Sequence, residues 1–197
     1  AIEYLDWATY HPIKDNRYVY PGTNIQLYDF DHQYKGLMTM RQALVESRNV
    51  PAIRALAAVG ITKAQNFISQ MGFNYDKTLE YQNGIGLPSS TLQNAAAYAA
   101  FANGGTYYQP QYIKEIVTGD GERKEFSSSG KQVMQSSTAY MITDMLKGVI
   151  TSPEGTGTRA NISGLYQAGK TGTNAYPSDI SAKFPDNAVM DSWFNGY

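Results

Sequence analysis

An apolar rhythm of 3.6 residues dominates the middle of the chain. Met40, Ala43, Leu44 and Ser47 recur at i, i+3, i+4 and i+7 and so share one helical face. Thr39 stands in front of them as a cap, with Gln42 three residues on as its reciprocal partner. This helix is expected to end at Asn49, because Val50 precedes Pro51 and a residue before proline avoids helical angles. A second helix is predicted from Pro51 in its first turn to Gly60. A third is predicted from Thr62, capped there with Gln65 three residues on, to Gly72, burying Phe67, Ile68 and Met71. A fourth, rich in alanine and suited to close packing, spans about 91–103 and stops before Gly104-Gly105. A fifth spans about 138–150, with Ala139, Ile142, Leu146, Val149 and Ile150 on one side.

Residues 111–118 and 122–126 read as a hairpin around Gly119-Asp120-Gly121. Residues 165–173 and 189–197 read as strands, separated from the fifth helix by a Gly-, Ser- and Thr-rich loop over 151–159. Residues 1–36 read as turns and aromatics punctuated by Pro12, Pro21-Gly22 and Gly36. Helices first and strands late predict an α/β (α+β) fold whose sheet is assembled from distant pieces.

Composition narrows the function. With 197 residues, 42% of them hydrophobic, the chain can build one packed core. Sixteen basic against 17 acidic residues leave a net charge of −1, which speaks against a nucleic-acid partner. The absence of cysteine excludes disulfides, zinc–thiolate sites and cysteine nucleophiles. The longest apolar stretches, 95–102 and 50–60, fall far short of the roughly 20 residues of a membrane span. The start, Ala1-Ile2-Glu3-Tyr4, does not resemble a signal peptide, and the chain reads as an internal excerpt of something longer. Sixteen tyrosines suit either groove walls or half-buried packing, and packing is the better expectation.

Much chemistry is excluded. His11 and His32 lie in the irregular N-terminal part and read as loop residues, with no helical i, i+4 pair for a metal. No Gly-x-Ser-x-Gly elbow exists, so a Ser-His-Asp triad is not expected. No metal or cofactor is implied. Residues 164–171, Gly-Leu-Tyr-Gln-Ala-Gly-Lys-Thr, match a phosphate-binding loop letter by letter. That loop needs an apolar strand before it and a helix after it. Here Arg159-Ala160-Asn161-Ile162-Ser163 precede it, and Gly172 to Pro177 follow, so nucleotide binding is disfavoured.

A better reading joins two tripeptides. Ser47-Arg48-Asn49 lies where a helix breaks into a turn, and Lys170-Thr171-Gly172 lies at the end of a strand-like run. In this order they resemble the Ser-x-Asn and Lys-Thr-Gly motifs of penicillin-binding proteins and serine β-lactamases. Around them, Val50-Pro51-Ala52, residues 96–107, Thr138-Ala139-Tyr140-Met141, Gly155-Thr156-Gly157 and Ala168 to Thr173 follow in family order. Nearly the whole chain is therefore similar to the transpeptidase domain of class A, bifunctional penicillin-binding proteins of Gram-positive bacteria.

The resemblance implies a β-lactamase/transpeptidase-like fold, an antiparallel sheet flanked by helices and incomplete in this chain. It implies acyl transfer from a D-alanyl-D-alanine carbonyl through a serine ester, on the outer face of a bacterial membrane. The expected partners are peptidoglycan stem peptides, β-lactam antibiotics and remaining segments of the same protein. A glycosyltransferase domain and a membrane anchor are expected upstream. Ser47 would relay a proton to the leaving group. Asn49 would hold the catalytic lysine or the substrate amide with its carboxamide. Lys170 would supply positive potential to the substrate carboxylate. Thr171 and Thr173 would offer it hydroxyls, and Gly172 would let a substrate backbone lie against the strand. The Thr173 amide would form half of an oxyanion hole.

The third motif, Ser-x-x-Lys, must precede Ser47 in family order, and nothing upstream of Ser47 matches it. Ser128-Ser129-Gly130-Lys131 fits the letters but is out of order, in a turn whose Gly130 disfavours a helix. The nucleophilic serine and its lysine are expected a short way upstream of Ala1, and a last strand and helix downstream of Tyr197. Three alternatives stay open at this point: a serine β-lactamase or D,D-carboxypeptidase of the same fold, a non-catalytic sensor domain of that fold, and the phosphate-loop protein.

Overall fold

The computed structural model describes residues 1–177, 179–185 and 188–197. Its first forty residues are more ordered than their turn-rich sequence predicts. A short helix α1 (Ile2–Leu5) is followed by strands β1 (Pro12–Asp15), β2 (Tyr18–Val19), β3 (Gln26–Leu27) and β4 (Gly36–Thr39). β1 pairs antiparallel with β4, and β2 with β3. Ile13 and Met38, opposite one another, are buried with Ala43 beneath Trp7. These strands are two to four residues long, too short for alternation to announce them.

Helix α2 (Met40–Val45) starts as predicted. The Thr39 hydroxyl accepts from the Gln42 amide while the Gln42 side chain accepts from the Thr39 N–H. Such a reciprocal cap stabilises a helix by about 1 kcal/mol. The helix is shorter than the apolar spacing suggests, and Ser47 lies beyond its end. Helix α3 (Asn49–Val59) begins at Asn49, two residues before the predicted start, with Pro51 inside the first turn where a missing N–H costs nothing. Helix α4 (Ile61–Gln70) is capped by Gly60, not Thr62. Gln65 serves the next loop instead, donating to Lys77 O and accepting from the Leu79 N–H. Met71 is buried, while Phe67 packs half-exposed against the core.

Helix α5 (Thr91–Ala102) carries a reciprocal cap between Ser90 and Gln93 that the pattern analysis passed over. Short strands β5 (Thr106–Tyr107), β6 (Glu115–Val117), β7 (Arg123–Glu125) and β8 (Lys131–Gln132) follow. The β6–β7 hairpin turns where predicted, and every residue of its strands is exposed. The Ser128 motif runs from the loop before β8 into its first residue, Lys131, with no helix around it.

Helix α6 (Ser136–Thr151) is the spine of the molecule. Met145, Leu146, Val149 and Ile150 are buried on it, each contributing about 1.5–3 kcal/mol of apolar burial. Gly148 lets α2 come close, since a Cβ there would stand 2.8 Å from Val45 Cγ2. Arg41 of α2 reinforces the contact by donating to Asp144 O at 3.0 Å and pairing with the Asp144 carboxylate.

The final hairpin is β9 (Gly169–Ala175) with β10 (Val189–Gly196), antiparallel, Lys170 opposite Asn195 and Thr171 opposite Phe194. The predicted strand over 165–173 is thus displaced: Leu165 and Tyr166 are exposed, and pairing begins at Gly169. Ala168 packs on Leu146 and Val149, with Leu44, Tyr98, Ile142 and Tyr197 closing the cluster. Half-buried tyrosines recur in these clusters, Tyr18, Tyr20, Tyr34 and Tyr81 around Val50 and Ile53 among them, as the packing expectation required. Among the described residues the sheet content is five separate two-stranded antiparallel pairs, with helices packed between them. No helix among those residues is long and apolar enough to cross a membrane.

Candidate active site

Ser47-Arg48-Asn49 is the hinge between α2 and α3. After Val45 the chain closes α2 with two hydrogen bonds, Ser47 N–H to Leu44 O and Arg48 N–H to Ala43 O. This is the Schellman pattern, and it forces a left-handed residue between them. That residue is Ser47, at φ 56°. Glycine usually takes this place, and a serine there costs roughly 1–2 kcal/mol. Such strain gathers at functional sites.

Arg48 then turns inward. Its guanidinium is buried, donating from Nε to Asp15 Oδ2 at 2.9 Å and from Nη1 to Asp31 Oδ2 at 2.7 Å. Nη2 donates to Gln33 O at 2.5 Å and lies 3.4 Å from Asp29 Oδ2. Asp29 also receives α3: its Oδ1 accepts from the Asn49 N–H at 2.6 Å and the Val50 N–H at 3.4 Å. A carboxyl from a distant loop therefore caps a helix whose own cap residue, Arg48, offers no acceptor.

Opposite the hinge, β9 presents Lys170. Its ammonium, 123 residues away in sequence, donates to Ser47 Oγ at 2.6 Å and to Thr171 O at 3.1 Å. Burial pushes Lys170 down to about 8 from its ordinary value. A lysine so placed can hold a positive charge beside a hydroxyl and exchange a proton with it at accessible cost. On the strand's other face, Thr171 Oγ1 meets Thr156 Oγ1 at 2.6 Å. Among the described residues β9 pairs only with β10, so its other edge is open. Both faces flank that edge, with Lys170 on the Ser47 side and Thr171 on the Thr156 side.

The sequence profile of the penicillin binding protein transpeptidase domain matches residues 6–197. The chain belongs to this family. It is 45% identical to penicillin-binding protein 1A of Streptococcus pneumoniae and 38% identical to penicillin-binding protein 1A/1B of Bacillus subtilis, over its whole length. It spans 29% and 22% of those two proteins. Its fold is that of the D,D-transpeptidase domain of a peptidoglycan glycosyltransferase from Eggerthella lenta, at a TM-score of 0.79 and 24% identity over 100% of this chain and 53% of that one. Penicillin-binding protein 1A of Haemophilus influenzae superposes with a TM-score of 0.77 and 22% identity, over 96% of this chain and 33% of that one.

In this member of the transpeptidase family the sequence-predicted residues are only partly assembled. Ser47, Lys170 and Thr171 come together. Asn49 faces the N-terminal segment, where its Nδ2 donates to Tyr28 O at 3.2 Å. Gly172 and Thr173 continue along β9 opposite Trp193 and Ser192, Thr173 exposed. Lys170-Thr171 lie within a strand that runs on to Ala175 and not at the start of a helix, so the phosphate-loop alternative has no structural basis. Arg48 and its three aspartates were not picked out from sequence. Their one signal was an arginine in front of the apolar run Val50-Pro51, where a charged side chain needs a buried partner.

Proposed function

We propose that this chain is part of a serine D,D-transpeptidase that crosslinks peptidoglycan stem peptides and is acylated by β-lactams. The observation that carries the reading is the 2.6 Å hydrogen bond from Lys170 Nζ to Ser47 Oγ, which joins the two family motifs directly. In this reading Lys170 holds a positive charge against the substrate's carboxylate, and Ser47 passes a proton toward the leaving amine. Thr171 and Thr173 offer hydroxyls to the carboxylate, the Thr173 N–H stabilises the oxyanion, and Gly172 leaves room for the substrate backbone. Asn49 turns its carboxamide from Tyr28 O to the substrate amide when the site is filled.

The nucleophilic serine and its lysine belong to a segment upstream of Ala1, since no Ser-x-x-Lys precedes Ser47. A glycosyltransferase domain and a membrane anchor lie further upstream, and the catalytic face is extracytoplasmic. Further segments after Tyr197 complete the sheet. Labelling with a fluorescent penicillin tests the reading. The 197 residues alone should take no covalent label, and the chain extended at both ends should label. In that longer protein Ser47→Ala and Lys170→Ala should each slow acylation by about two to four powers of ten. Unchanged rates would remove both residues from the mechanism.

A further inference from the structure

The cage behind Ser47 contains a contradiction. Asp15 and Asp29 are both buried, and both pair with the same Arg48 guanidinium, Asp15 Oδ2 at 2.9 Å and Asp29 Oδ2 at 3.4 Å. Asp15 Oδ2 is satisfied by Arg48 Nε and the Lys35 N–H, and Asp29 Oδ1 by the Asn49 and Val50 N–H groups. The two remaining oxygens, Asp15 Oδ1 and Asp29 Oδ2, are buried without a hydrogen bond, the latter having only the Arg48 ion pair at 3.4 Å. Two ionised carboxylates sharing one cation in a dry site are costly, so the pair holds a proton more tightly than a free carboxyl does. We infer that one proton resides between Asp29 Oδ2 and Asp15 Oδ1, and that the Asp15–Asp29–Arg48 cluster it completes is the positioning device that aims Ser47 at Lys170.

The geometry allows this in each part. Arg48 follows Ser47 directly and is clamped to Asp15, Asp31 and Gln33 O, while Asp29 grips the first two amides of α3. The residue between the end of α2 and this clamp has no conformational freedom left, which is how a serine is kept at φ 56°. The other charged groups around the pair are consistent with one proton. Arg48 is the only cation facing it among the described residues, and Asp31 occupies the outer side of that cation. Lys35 touches Asp15 only through its main-chain N–H, its ammonium being paired with Glu46. Burial and the neighbouring Asp15 push the Asp29 carboxyl up to about 6.

The inference rests on the proposed role of Ser47, and the test separates the two. In the full-length protein, Asp29→Asn places an N–H where the shared proton lies and keeps the oxygen that caps α3. It should acylate with fluorescent penicillin within about threefold of the wild-type rate. Asp29→Ala removes both and should acylate about ten- to a hundredfold more slowly, the cost of a misplaced reacting group. Melting measured from pH 4 to 8 gives a readout independent of catalysis. A carboxyl raised to about 6 keeps its proton in the fold after the unfolded chain has lost it. Wild-type stability from this group therefore falls as pH rises from about 4 to 6 and stays low above. The Asp29→Asn protein should lack that fall and melt higher than wild type above pH 6. Equal losses in the Asp29→Asn and Asp29→Ala variants, or a wild-type melting profile in Asp29→Asn, would overturn the shared proton. A wild-type acylation rate in folded Asp29→Ala would overturn the positioning role. Ser47→Ala at the wild-type rate would instead sink the relay role, and the melting arm would still decide the proton.

Discussion

Ser47 and Lys170 meet at one hydrogen bond, yet the segments that carry them are held by different physics. The hinge at 47–49 is fixed by polar bonds: a helix cap, a Schellman closure and a buried guanidinium with three aspartates. The strand at 169–175 is fixed by clearance. Among the described residues it has one neighbouring strand, and Gly169 and Gly196 leave the room in which the Phe194 ring lies. A polar lock fails when a partner is removed, because a buried charge is left uncompensated. A steric fit fails when atoms are added. Opposite kinds of substitution should therefore break the two sides.

The largest effect is expected on the polar side. Arg48→Met keeps much of the apolar stem but leaves the buried Asp15–Asp29 pair without its cation. Loss of one partner from such a buried pair costs about 3–5 kcal/mol. Urea denaturation of the domain should show that loss, and a change below about 1 kcal/mol, the worth of an exposed pair, would mean the cage is not what fixes the hinge. On the steric side the damaging change is an addition. A Cβ at Gly169 would stand 2.7 Å from Phe194 Cζ and 2.8 Å from Asn195 O. Gly169→Ala should cost about 1–3 kcal/mol as an overpacking substitution. Because Asn195 O is backbone, Phe194→Leu should recover only part of that loss.

Next comes the charge at the junction. Burial lowers Lys170 to about 8. The protonated form, which attracts a carboxylate, prevails below that value and is lost above it. Acylation by a carboxylate-bearing penicillin should fall about tenfold per pH unit above 8. The linkage to stability runs the other way. A depressed lysine is a burden on the fold while it is charged, and the fold is relieved of it as pH rises through 8. A pH–rate profile flat to about pH 10, where an ordinary lysine titrates, would show that Lys170 is held charged by something other than the contacts described.

These differences also explain what sequence could reveal. Helix α6 was legible because its burial follows the 3.6-residue period, α5 because alanine favours a helix and Gly104-Gly105 stops it, and the Thr39–Gln42 cap because it is local. The pairing of Ser47 with Lys170 was legible only as family order, since no periodicity links residues 123 positions apart. Ser47 itself was misplaced onto a helix face. Its spacing fits i+7, but the helix stops at Val45, and the left-handed turn is dictated by Arg48 bonding back to Ala43 O. The cage was invisible because Asp15, Asp29 and Asp31 lie in a segment whose strands are too short to carry a pattern. Lys170 was assigned its place, but its strand was drawn four residues early, because exposed Leu165 and Tyr166 mimic an apolar run.

The smallest predicted effect is also the sharpest test of which polar bond governs the hinge. Thr39 caps α2 at the end opposite Ser47. Thr39→Ala removes its acceptor for the Gln42 amide and should cost about 1 kcal/mol. The cap is exposed, so water replaces the lost bond and no buried group is stranded. If the Arg48 cage alone fixes Ser47, the acylation rate should stay within about twofold, well below the roughly 1.4 kcal/mol that a tenfold change represents. Parallel measurement of urea stability and acylation in this variant separates the two possibilities. A rate that falls in step with stability would mean that the whole of α2, from its cap onward, carries the register of Ser47, and that the cage only anchors its far end.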